Sequence, residues 1–277
     1  MKSNNRKTTV LLFILFIAGL SLLLYPTVSD YWNSSRSTKA IMSYDEEVSK
    51  LEKQKYEQVW NDARSYNSSL IGRENDYLLS DEQQAQYNSL LDLTGTGIMG
   101  YIEIPNIKCS VPIYHGTEEN VLQIAIGHLE WSSLPTGGEN THCVLSGHRG
   151  LPSAKLFSDL DKIIEGDIFM LRILDEVLTY EVDKISIVEP QETSTLEIEQ
   201  GKDYCTLVTC TPYGVNSHRL LVRGHRVENL KKYTITLVSE GQQIDPLIVA
   251  PVVAMPVLIA LFIRLMVPGK RKNYKDE

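Results

Sequence analysis

The chain has 277 residues, 43% of them apolar and 22% charged, which is enough to bury a core and too apolar for a disordered protein. A formal charge of −8 leaves no broad basic surface for tracking phosphates, so nucleic acid is not an expected partner. Four cysteines are too few for a disulfide scaffold, and no CxxC pair or Cys/His cluster has zinc spacing, so neither metal nor cofactor is expected.

In chain order, Lys2, Arg6 and Lys7 precede Thr8 to Ser29, about 22 uncharged residues dense in Leu, Ile, Val and Phe and long enough to span a bilayer. The best cleavage site for a signal peptide, Thr27-Val28-Ser29, is a poor small-x-small match. The run therefore reads as a retained anchor at 8–29 behind a cytoplasmic tail at 1–7. From Ser37 to Leu70 the chain is polar, with Ile41, Tyr44, Val48, Leu51, Val59 and Ala63 at near-helical spacing and no Pro or Gly before Gly72, which predicts one or two long helices. Ser80-Asp81-Glu82-Gln83 fits a capping box, followed by a short apolar stripe of Tyr87, Leu90 and Leu91 up to the Gly95–Gly100 break. Residues 30–98 thus form a helical extension, which composition alone describes as a spacer packed on the domain.

After Met99 the texture changes to short β-branched and aromatic runs between Gly, Pro, Asn and Ser clusters, the pattern of an all-β barrel or sandwich at 99–240. Strands are expected near 100–104, 110–114, 141–146, 167–174, 177–188, 203–210, 218–227 and 232–238, with a short connecting helix over 151–161. A second apolar run, 246–267, carries Arg264 one turn from its end and leads into Lys270, Arg271, Lys272 and Lys275 in a basic tail at 268–277. Basic flanks at both ends predict two spans with both tails inside, which places an acidic segment of net charge about −14 on the outer face.

Within Tyr204 to Cys210, strand alternation puts Cys205 and Cys210 on opposite faces and roughly 16 Å apart, beyond disulfide reach. Cys210 ends its strand just before the turn sequence Thr211-Pro212-Tyr213-Gly214, where a thiol is accessible. If 203–210 and 218–227 form a hairpin, Arg219 starts the return strand opposite Cys210, and its guanidinium can favour the thiolate and bond a developing oxyanion. Arg223 shares that face but lies about 13 Å further along. A proton donor is offered by Ser146-Gly147-His148-Arg149-Gly150, where the small neighbours of His148 let its ring reach a cleft. His142 is its main rival on the same strand.

These motifs together resemble the sortase family, the membrane-bound cysteine transpeptidases of Gram-positive bacteria. The resemblance rests on Thr206 to Cys210 with Arg219 and on Ser146 to Gly150. Gly100-Tyr101-Ile102-Glu103-Ile104-Pro105, Gly127-His128-Leu129-Glu130, Ser132-Ser133-Leu134-Pro135 and Thr211 to Gly214 strengthen it and are similar to the pilus-assembling class C branch, in which twin anchors are common. The resemblance spans about residues 95–230. It implies a closed eight-stranded sortase-type β-barrel with short connecting helices, an N-terminal helical extension and a transmembrane helix at each end. It implies Cys210 as nucleophile, His148 as general acid/base and Arg219 as oxyanion stabiliser, with His128, Thr209, Tyr213 and His218 bordering the substrate groove. The implied partners are pilin or surface proteins with an LPXTG-like sorting signal, and the acceptor is a lysine of another pilin. The catalytic domain would then sit on the extracellular face of the cell membrane. Class C members commonly cover the site with a lid bearing an Asp-Pro-aromatic motif. That motif is absent here, since no proline occurs between Pro26 and Pro105, and Asn75-Asp76-Tyr77 is the nearest stand-in, with Asp76 and Tyr77 as candidate lid residues. The alternatives are an anchoring enzyme that transfers to a cell-wall cross-bridge amine and a catalytically silent, membrane-tethered binding protein.

Overall fold

The computed structural model describes residues 3–72 and 78–229, together with positions 256 and 259. Helix α1 runs Ser3–Ser49 with Pro26 inside it, α2 runs Lys53–Leu70 and α3 runs Asp81–Ser89. The strands are β1 Ile98–Ile104, β2 Cys109–His115, β3 Ile126–His128, β4 Thr141–Ser146, β5 Ile168–Ile173, β6 Glu176–Val188, β7 Asp203–Thr211 and β8 His218–Val227, with a four-residue helix α4, Glu119–Leu122, before β3. They close into a barrel in the order β1-β2-β3-β4-β7-β8-β6-β5. Closure leaves no unpaired sheet edge, which is why eight short strands are stable in so small a core. The compact unit that carries the barrel spans residues 30–236.

Alternation sorts the strands into two faces. Ile102, Ile113, Phe169, Leu171, Cys205, Leu207 and Val222 fill the interior. Val144, Val208 and Leu221 face outward, where Leu196 from the β6–β7 connection, Leu129, Trp131 and Val188 pack on them.

The helical extension is part of the same core. Trp60, Ala63, Tyr66, Asn67 and Leu70 recur every three or four residues along α2 and are all buried. Asn67 repays its desolvation in full: its Nδ2 donates to Leu134 O at 3.0 Å and Thr136 Oγ1 at 2.9 Å, and its Oδ1 accepts from Leu134 N at 2.7 Å. Tyr44, fully buried on α1, donates to Met99 O at 2.8 Å and accepts from Leu174 N at 2.7 Å. The Ser80 box caps α3 as the sequence predicts, with Gln83 N donating to Ser80 Oγ and Ser80 N to Gln83 Oε1.

Seven of the expected strands appear within a few residues of their predicted ends. The eighth strand of the barrel is β3, whose three residues are too short to show a period of two. The expected strand at 232–238 and the apolar run 246–267 fall outside the described residues, apart from the isolated positions 256 and 259. One described helix, over Val10–Ser49, is long and apolar enough to cross a membrane. No helix fills 151–161: an isolated bridge joins Leu151 to Ala154, Leu156 adopts φ 36°, and only Leu160–Lys162 makes a turn of 3-10 helix. A left-handed residue ends any helical run before it, so Leu156 interrupts the segment at its middle.

Candidate active site

Strands β4 and β7 run parallel, pairing Thr141 with Asp203 through Ser146 with Val208. His148 and Cys210 each stand two residues beyond that last pair, so neighbouring strands about 4.8 Å apart deliver both to one end of the sheet. Strand β8 returns antiparallel along β7 and pairs Arg219 with Cys210. Thr206, Val208 and Cys210 share the outward face, and directly opposed residues of an antiparallel pair project to the same side, so Arg219 joins Cys210 above the Val144, Val208 and Leu221 shelf.

The backbone around His148 is held by glycine. A Cβ on Gly147 would enter the Ile126 side chain and come within 2.7 Å of the Phe157 ring, and one on Gly150, at φ 77°, would enter the Tyr213 ring. Gly147 N donates to Val208 O at 3.0 Å and its carbonyl accepts from Thr209 Oγ1 at 2.7 Å, which sews the end of β4 to β7. The His148 side chain is 28% exposed, with Nε2 3.7 Å from Glu119 Oε2. The other oxygen of that carboxylate accepts from Gln123 Nε2 at 3.1 Å. Glu119 is a site neighbour that the sequence did not single out, because nothing in its own stretch links α4 to His148.

Arg219 is half-buried, and its Nη1 donates to Asn216 O at 3.2 Å and His218 O at 3.1 Å. No ion pair involves it among the described residues. Arg223 is committed elsewhere, with Nε and Nη2 each 3.0 Å from an Asp183 carboxylate oxygen and its guanidinium carbon 4.1 Å from the Tyr204 ring centroid. Arg149, beside His148, forms an ion pair with Asp161.

Two further histidines on the wall of the barrel, His142 and His115, are structural. His142 Nε2 bonds Thr206 Oγ1 at 2.7 Å and its Nδ1 faces Glu197 O at 2.9 Å. Both ring nitrogens of His115 meet backbone carbonyls, those of Gly97 and Leu90. Burial lowers the pKa of both rings and outweighs the carbonyls that push the other way.

Two of the four expected groove residues are placed differently from the expectation. His128 is fully enclosed: its Nδ1 bonds Tyr87 Oη at 2.9 Å and its Nε2 faces Ser133 O at 2.8 Å, because α3 lays Tyr87 directly over β3. Thr209 points inward and is 2% exposed, since it alternates with Cys210. Tyr213, in the turn after Cys210, and His218, at the start of β8, are exposed, with His218 Nδ1 2.8 Å from Ser217 Oγ. Thr211, Pro212 and Tyr213, with Arg149, Ile185, Ile187 and others, line an open groove of about 700 Å³ at the barrel mouth. Asp76 and Tyr77 lie outside the described residues. No cluster of His, Cys, Asp and Glu among the described residues has the make-up of a metal site.

The arrangement gathers a thiol, an imidazole and a guanidinium at one strand end, the set that acyl transfer through a thioester requires. A family model described as a sortase domain matches residues 102–227. The crystal structure of sortase C1 from Streptococcus agalactiae is 53% identical, covers 69% of this chain and 100% of its own, and superposes with a TM-score of 0.68. The structure of Clostridium perfringens sortase C with the C-terminal cell wall sorting motif is 42% identical over 69% of this chain and 100% of its own, with a TM-score of 0.61. Sortase D of Bacillus subtilis is 34% identical over 131 residues, 46% of this chain and 63% of that protein.

Proposed function

Because the chain belongs to the sortase family of cysteine transpeptidases, we propose that it cleaves an LPXTG-like sorting signal between Thr and Gly and passes the acyl group to a lysine amine of a pilin subunit, polymerising pili. The observation that carries this reading is the register that opposes Arg219 to Cys210 while parallel pairing brings His148 to the same strand end.

The Cys210 thiolate attacks the Thr carbonyl carbon, and the Arg219 guanidinium bonds the oxyanion that forms. As the tetrahedral centre collapses, the C–N bond breaks, His148 protonates the departing Gly amine, and a thioester on Cys210 remains. The acceptor lysine then attacks the thioester, His148 takes its proton, and an isopeptide bond forms as the thiolate leaves. The His148 ring, with Glu119 Oε2 at 3.7 Å, carries the proton before the first step and again after the second, and is neutral between them. The class C neighbours support the pilin acceptor, and the neighbour bearing a sorting motif supports the donor. Residues 8–29 serve as an anchor and 246–267 as a second span, which keep the catalytic unit on the outer face.

The test is mass spectrometry of the full chain in detergent after incubation with an LPXTG peptide. The expected result is an acyl adduct on Cys210 that is lost in Cys210→Ala and forms about 100-fold more slowly in Arg219→Lys, whose ammonium cannot reproduce a planar fork of donors. With a pilin that bears the signal, a ladder of linked subunits follows. Absence of any adduct on the wild type overturns the reading, and transfer only to glycine-type amines moves it to the anchoring reaction.

A further inference from the structure

Between Arg149 and Leu160 the chain makes no regular element beyond the Leu151 to Ala154 bridge, so its shape depends on partners outside itself. Those partners include the segment of α1 that directly follows the apolar run. Asp30, Asn33, Ser34 and Ser37 share one helix face, and with Ile107 to Val111, Ile124, Ala154 to Leu156 and Asp159 they line a small cavity of about 160 Å³. Asn33 Nδ2 donates to Ser153 O at 2.7 Å, and Lys155 N donates to Asp30 Oδ1 at 2.8 Å.

The same loop grips the backbone of the His148 motif. Phe157 N donates to His148 O at 3.2 Å, and Gly150 N donates to Ser158 Oγ at 2.9 Å. Phe157 is fully buried, with its ring against Gly147. Cys109, which lines the same cavity, donates through its Sγ to Leu156 O at 3.7 Å. A hydrogen-bonded path therefore runs from Asp30 and Asn33, through residues 153–158, to the carbonyl of His148 and the amide of Gly150.

We propose that Asp30 and Asn33 are positioning residues for the transpeptidation: by holding Ser153 and Lys155 they fix the loop that sets the backbone of His148. The stretch of α1 at 30–37 is thereby a working part of the catalytic unit, and an ectodomain that begins after residue 37 lacks it. The inference rests on His148 acting as the acid/base. A ring displaced by a fraction of an ångström still permits peptide binding at the Cys210 face but transfers its proton less well.

The experiment uses the full chain in detergent micelles and three variants. Asn33→Asp removes the donor at constant size, Asp30→Leu removes the acceptor, and Asp30→Asn keeps an acceptor oxygen as the rescue control. In the first two, amide exchange at Gly150 and Phe157 is expected to rise about tenfold with the strand centres unchanged. With an LPXTG peptide and a lysine acceptor, kcat is expected to fall about tenfold at unchanged KM for the peptide. Asp30→Asn should match the wild type in both readouts. Unchanged exchange, a rise spread over the whole barrel, or raised exchange with normal kcat would each overturn the proposal. A wild type without turnover defeats the assigned reaction and with it the role of Asp30 and Asn33 in it, while the exchange data separately report whether the bracing exists.

Discussion

The middle and the end of the same two strands make opposite use of the same residue types. At the centre of β4 and β7, Cys143 opposes Cys205 in register, 2% and 0% exposed, and burial pushes the Cys205 thiol well above its ordinary pKa. At the end of β7, Cys210 is half-buried beside an arginine. The histidines repeat the contrast. His142 is enclosed near the start of β4 with a bond to Thr206, whereas His148, just past the end of β4, leaves 28% of its side chain open. Where the ladder continues, both ring nitrogens of His142 meet fixed partners. Where it runs out, side chains keep bonding capacity for a substrate.

Selective alkylation puts the largest effect on that comparison. In the folded chain, iodoacetamide should modify Cys210 at least about 1,000-fold faster than Cys143 or Cys205, which react only when the barrel opens. Peptide mapping by mass spectrometry reads this directly, and comparable labelling at Cys143 would break the contrast.

A smaller effect tests whether the helical side is as integral as the strands. Asn67→Ala leaves Leu134 N without its acceptor in a buried setting and should cost about 2 kcal/mol in chemical denaturation while leaving Cys210 reactive. An unshifted midpoint would mean that α2 is a removable spacer.

The smallest effect sharpens the histidine half of the contrast. Burial lowers the folded-state pKa of His115 and His142, so the unfolded chain takes up their protons first as pH falls. Their contribution to stability is complete above the ordinary histidine value of about 6.5 and is lost below it, by at most about 1.4 kcal/mol per pH unit for each ring. His142→Gln should flatten the slope of the denaturation midpoint between pH 7 and 5, and an unchanged slope would remove His142 as a contributor.

The parts legible in the sequence are those set by near neighbours. The Ser80 capping box, the apolar helix at the N-terminus and the hairpin that opposes Arg219 to Cys210 each follow from patterns within one continuous stretch of chain. Strand β3 was illegible because three residues carry no period, and the 151–161 helix was misread because Leu156 turns left-handed only under tertiary contacts. His128 looked like a groove residue from its motif. The placement of Tyr87 over it, from a helix some forty residues earlier, made it a core residue.

By itself the sequence determined the types of the longer elements, the faces of the strands that carry a period and the residue kinds capable of acyl transfer, because side-chain periodicity is a local property of the backbone. Only the tertiary structure decided that β4 pairs in parallel with β7, that His148 rather than His142 reaches the open end, that Glu119 approaches its ring and that Asp30 and Asn33 grip the loop behind it. Those are contacts between segments far apart in the chain, selected by closure of the barrel and by the need to satisfy buried polar groups, and no short window of residues contains them.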